Sequence, residues 1–145
     1  MSPLTTESLR PPRILVVGEC APRGGDPLSL DGMSGRRLAE LLNGLTYETR
    51  NLCEREWDDV AARAEWRRIR GEIAGKRVTV ILLGRRVSRA AGLARMDLLT
   101  WGNMWADESD QYGVRVGLLP HPSGRNRWWN DPDNQEAARR FLCAV

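Results

Sequence analysis

A chain of 145 residues with 41% hydrophobic and 28% charged side chains has the length and balance of one ordinary globular domain with a single core. Its 22 basic and 19 acidic residues leave a net charge of +3, too little to argue for a nucleic-acid partner on charge alone. The longest apolar run, Val78–Leu83, is interrupted by Thr79 and falls far short of the ~20 residues that cross a bilayer, which argues against a membrane partner.

Residues 1–12 are polar and end in Pro11-Pro12, which predicts a flexible lead-in ahead of a single domain over 13–145. Glu7 and the prolines stand where a secretory signal would be basic and then apolar, so no such signal is read. Residues 13–18 (RILVVG) form a β-branched apolar run ending in glycine, the pattern of a strand buried on both faces. A long loop rich in glycine and proline follows, of the kind that tends to be functional in compact domains. Ser34 opens a helix with Leu38, Leu41, Leu42 and Leu45 on one face, stopped by Asn43-Gly44.

Residues 47–53 (YETRNLC) read as a second strand, and Asp58 as the N-cap of a helix reaching Ile73, with Gly75 beyond it. Residues 77–84 (RVTVILLG) are the clearest strand, followed by a short helix through Val87, Ala90, Ala91 and Ala94. Residues 96–111 show no firm pattern. A fourth strand covers 113–119 and ends at Pro120. After a loop from His121 to Asn130, Asp131-Pro132 caps a last helix whose buried stripe is Ala138, Phe141, Leu142 and Val145. Strands alternating with helices imply a parallel sheet covered on both faces, with ligand sites in the loops at the strand C-termini.

Cys20, Cys53 and Cys143 cannot all pair with one another, and no C-x-x-C is present, so the chain reads as reduced and cytoplasmic. Lys76 is the only lysine; all other basic residues are arginine, the side chain suited to gripping phosphates and base edges. Codon usage in a GC-rich genome explains the same bias more simply. Ten basic residues fall between Ala61 and Arg95 against Glu65 and Glu72, a run that is usually a solvated face and sometimes a nucleic-acid footprint.

Two segments carry most of the chemistry. GECAPRGGDPLSLDGMSG and LPHPSGRNRWWN each leave the C-terminal end of a predicted strand. The only histidine, His121, lies in the second between two prolines that fix its backbone. Glu19, directly after a buried strand, is a carboxylate that must be paired, hydrated or functional. Neither GxxxxGK[ST] nor GxGxxG is present, which leaves a phosphate-binding loop or Rossmann dinucleotide site unsupported.

ILVVGE with its proline-glycine loop and GMSGRRLAELL resembles the first motif of the uracil-DNA glycosylase superfamily, and HPSG after a strand resembles its second. ILLGRRVSRAAG resembles the strand-and-helix unit between them. The likeness is nearest to the thermophilic, iron–sulfur branch with its Gly-Glu-x-Pro-Gly motif, and it covers most of the chain. It implies a three-layer α/β/α sandwich with a four-stranded, mainly parallel sheet. It also implies extrusion of a nucleotide from DNA, single- or double-stranded, and hydrolysis of its N-glycosidic bond, the base being uracil or a modified pyrimidine.

On this resemblance Glu19 and His121 are catalytic: His121 donates to the base oxygen, and Glu19 orients water or stabilises the cationic sugar. Gly18, Cys20, Leu30 and Asn51 surround the base. Asn51 offers both an amide donor and an acceptor, although a turn or strand-end role accounts for it equally well. Ser34, Gly35, Arg36, Ser123, Gly124, Arg125, Arg127 and Trp128 face DNA. Trp128 and Trp129 would stack or wedge against bases, while the plainer reading packs at least one of them between the loop and the last helix.

The departures from the family pattern are specific. The proline of Gly-Glu-Cys-Ala-Pro comes one residue late, and Leu30 stands where an aromatic ring would stack on the base. Cys53 matches one cluster ligand, but the other cysteines of the set are missing, so no iron–sulfur cluster, other metal or cofactor is expected. HPSGRNRWWN-like loops also look similar to those of small virus-encoded relatives. This keeps open a repurposed protein that transfers a group onto a modified thymine or only binds a base. A third alternative is a Rossmann-like nucleotide-binding module without a DNA role.

Overall fold

The computed structural model describes residues 13–20, 33–104, 114–123 and 126–145. The expected lead-in, most of the glycine-proline loop with Leu30, and Gly124 and Arg125 lie outside the described residues. Ten elements follow in order: β1 (Arg13–Cys20), α1 (Met33–Leu42), β2 (Glu48–Cys53), α2 (Asp59–Ile73), β3 (Val78–Leu83), α3 (Arg85–Ala90), β4 (Trp101–Met104), β5 (Val114–Leu119), a 3-10 turn (Arg127–Asn130) and α4 (Pro132–Leu142).

The sheet runs β2-β1-β3-β5-β4. The first four strands in that order are mutually parallel, and β4 is antiparallel to β5. Alternate side chains of β1 point to opposite layers. Ile14 and Val16 join Leu38, Leu42, Ala138, Phe141 and Leu142, so α1 and α4 cover one face. Leu15 and Val17 join Ala62, Trp66, Ile69, Ile73 and Val87, so α2 and α3 cover the other. β3 is buried at all six positions because both layers meet there. The result is a three-layer α/β/α sandwich.

The predicted caps form as their chemistry requires. Asp58 accepts from the amides of Val60 and Ala61 at the start of α2, and Asp131 accepts from Asp133 N ahead of Pro132. At the end of α1, Asn43 (φ 34°) and Gly44 (φ 81°) turn the chain outward. Leu45, expected on the buried face, is consequently 47% exposed. Ala94, expected in the short helix after β3, lies beyond its end and is exposed.

The sheet has five strands where the sequence pattern predicts four. The added strand, β4, comes from the segment read as patternless. Its four residues are held by pairing with β5 and by a ring stack, with no alternation of their own. Trp101 stacks on Phe141 of α4 with centroids 4.5 Å apart, and its indole donates to Phe141 O at 3.1 Å. Gly117 beneath them makes the stack possible: a Cβ there would lie 2.6 Å from Phe141 Cζ and 2.7 Å from the Trp101 ring.

Candidate active site

The parallel arrangement brings the C-terminal ends of β1, β3 and β5 together. Glu19 comes from the end of β1, and His121 follows β5 after Pro120. Between them lies Gly84, just past β3, whose amide donates to Leu119 O at 2.8 Å and so fastens the two strand ends. Gly84 has φ 92°, and a Cβ on it would stand 3.4 Å from His121 Cβ and 3.7 Å from Glu19 Oε1. Glycine is favoured here by the positive φ, and its position between the two side chains marks where they converge.

Glu19, Gly84, Pro120, His121, Asn126 and Trp128 line a cavity of about 290 Å³ together with Leu98 and the α3 arginines Arg85, Arg86 and Arg89. Arg86 approaches the Glu19 carboxylate at 3.9 Å. Arg85 is anchored by donating to Met96 O at 3.0 Å. Cationic groups thus border a carboxylate and an imidazole in one concave site.

His121 is held in a defined state. Its Nδ1 accepts from Ser123 N at 3.2 Å, which leaves the ring proton on Nε2. Burial lowers its pKa from the ordinary 6.5, opposed more weakly by the negative charge of Glu19. The backbone is fixed as well. His121 O accepts from Trp129 Nε1 at 2.8 Å and from Asn126 Nδ2 at 2.9 Å. Trp129 is fully buried, and its own carbonyl takes a hydrogen bond from Gln135 of α4, while Trp128 O takes one from Asn134.

The expected DNA-facing residues divide. Trp128 lines the cavity and packs edge-on to Trp129, centroids 4.7 Å apart, whereas Trp129 is the ring that packs the loop onto the core. Ser123 is spent on the imidazole through its amide, and Arg127 is exposed. At the start of α1, Ser34 is half-buried, Gly35 buried and Arg36 exposed. The residue that reaches the His121 loop is the neighbouring Arg37. It donates to Pro122 O at 3.2 Å and lies 5.2 Å over the Trp129 ring. The sequence reading missed Arg37, yet the phase of Leu38, Leu41 and Leu42 carries the signal: Arg36 falls opposite that stripe and Arg37 on its flank.

Asn51 is aligned with Gly18 across β1 and β2, and it lines a second hollow at the sheet edge with Cys53, Glu54, Arg55, Glu65 and Arg68. It is not among the residues lining the cavity of Glu19 and His121. Cys20 pairs in register with Cys53 and packs against the α2–α3 core. Among the described residues, no group of three or more His, Cys, Asp or Glu side chains gathers to hold a metal ion. No described helix is long and apolar enough to cross a membrane. Compared with known proteins, the chain matches no protein-family model and no curated protein.

Proposed function

We propose that the chain is a DNA base-processing enzyme of the uracil-DNA glycosylase type, which accepts an extruded uracil or modified pyrimidine and hydrolyses its N-glycosidic bond. The observation that carries this reading is the meeting of Glu19 and His121 over Gly84 in one small, arginine-bordered cavity.

The chemistry needs a donor to the departing base and a negative group near the sugar. As the bond stretches, negative charge collects on the base oxygen and positive charge on the sugar, so both groups interact more strongly with the transition state than with the ground state. His121, with Nδ1 occupied by Ser123 N, supplies Nε2–H as a neutral donor. Burial favours that neutral form. Glu19 supplies the carboxylate that orients water or faces the developing cation.

The test is abasic-site formation on single- and double-stranded oligonucleotides carrying uracil, 5-hydroxymethyluracil, hypoxanthine or thymine. Alkali-induced strand breakage at one of these bases, abolished by Glu19→Gln and strongly reduced by His121→Ala, is the expected result. Intact strands on every substrate, with DNA still bound, would overturn hydrolysis and leave a base-binding protein.

A further inference from the structure

The two flanks of α2 differ in charge environment. α2 carries two flanks beside its buried stripe of Ala62, Trp66, Ile69 and Ile73. On the flank toward β2, acids and bases cancel. Arg50 holds Glu72 at 2.8 Å and Glu65 at 3.1 Å, and Arg68 adds a contact to Glu65 at 3.3 Å. Arg63 and Arg67, one helical turn apart, lie on the opposite flank. The only acid of α2 on that side, Asp59, accepts from the Trp57 indole at 2.9 Å. Among the described residues, neither Arg63 nor Arg67 has an ion-pair partner, and both are exposed.

That flank points away from β2, on the side where α2 meets α3. α3 (RRVSRA) has no acid, and its arginines border the Glu19–His121 cavity. Because α2 follows β2 and runs back along the sheet, its first turns stand at the strand C-termini, the same edge as the cavity. Arg86 and Arg89 of α3 line the cavity, and Arg63 and Arg67 stand on the α2 flank toward α3.

We infer that Arg63 and Arg67 of α2 continue the α3 arginines into a track for the phosphodiester backbone of a nucleic-acid strand whose base occupies the cavity. The inference deepens the functional reading and rests on it for the direction in which the strand runs. Arg50 and Arg68 on the flank toward β2 are paired with Glu65 and Glu72, whereas Arg63 and Arg67 on the flank toward α3 have no ion-pair partner among the described residues. Guanidinium groups at one-turn spacing suit successive phosphates, and each contact releases condensed counterions.

The experiment measures binding of the whole protein to an undamaged 30-nucleotide DNA, single-stranded and duplex, across a range of salt concentrations. Each lost phosphate contact lowers the slope of log K against log salt by about 0.9 on duplex DNA and about 0.7 on a single strand. The double variant Arg63→Gln/Arg67→Gln is therefore expected to lose about 2 units of slope on duplex DNA and somewhat less on a single strand. A charge-matched control, Arg139→Gln/Arg140→Gln on α4 in the other layer, is expected to keep the parent slope. Thermal melting confirms that both variants fold. Equal slopes for parent and both variants, or no DNA binding by the parent at low salt, would overturn the track. The measurement uses uncleavable DNA. A missing glycosylase activity with a reduced slope in Arg63→Gln/Arg67→Gln would therefore overturn the hydrolytic reaction alone.

Discussion

The indole of Trp129 donates to the main-chain carbonyl of His121 at 2.8 Å, so a fully buried side chain of the core sets the position of the residue that faces the cavity. The Asn126 amide donates to the same oxygen and also accepts from Trp128 N, closing the loop on itself.

Trp129→Phe keeps an aromatic ring in the core but removes a buried donor. The expected cost is about 1–3 kcal/mol, since a buried carbonyl loses one of its two partners and an indole-sized space is underfilled. Urea unfolding measures it. Activity should fall further than the loss of stability accounts for, because the His121 carbonyl is then held by Asn126 alone. Unchanged stability would show that the hydrogen bond does not hold the loop.

His121 is the only histidine, so one imidazole signal reports its titration by NMR. Burial lowers its pKa in the folded state, with Glu19 opposing more weakly, and the midpoint is expected below 6.5. The unfolded chain then binds the proton first. Stability is lost as pH falls from about 6.5 toward the folded midpoint and is insensitive to this group above it. Base release should stay level down through pH 6.5 and decline only below the folded midpoint. A midpoint above 6.5 would mean that Glu19 outweighs burial. His121→Ala should lower the rate about 10²–10³-fold with little change in DNA binding.

Two glycines next to functional rings separate site strain from core strain. Gly84→Ala adds a methyl 3.4 Å from His121 Cβ at φ 92°, so activity should drop with a stability cost of about 1 kcal/mol or more. Gly117→Ala adds one 2.6 Å from Phe141 Cζ, so the Trp101–Phe141 stack must open at about 1–3 kcal/mol, with less direct effect on the cavity. Paired melting and rate measurements on both variants check the contrast. Full activity and unchanged stability in Gly84→Ala would show that the positive φ at this position does not shape the site.

The three thiols should react at different rates. Burial, helped by Cys53 and Glu19, pushes Cys20 up to about 11, and Cys53 is buried, whereas Cys143 is exposed. An alkylating reagent at pH 8 should label one equivalent quickly, and Cys143→Ser should remove that phase. Rapid labelling of Cys20 would contradict its protected setting.

The four parallel strands and their helices were legible because each carries its own signal: a β-branched run, a leucine stripe, or an aspartate cap before an apolar period. β4 was not, because Trp101 and Gly102 are held by β5 and by Phe141, partners distant in sequence. In the site, Glu19 and His121 were legible from their places at strand ends, as was the ambiguity of the tryptophans. The role of Arg37 required the helix phase to be applied to polar as well as apolar positions. The separation of Asn51 from the cavity depends on strand register, which a single sequence does not specify.

The sheet acts as a partition between two kinds of control. The side chains that tie down the His121 carbonyl and its loop — Trp129, Asn126, Arg37 and the ties to α4 — belong to the layer of α1 and α4. The arginines that border the cavity come from α3 in the opposite layer. Substitutions in one layer can thus adjust the electric field on a bound base without moving the donor, and substitutions in the other can move the donor without altering the field.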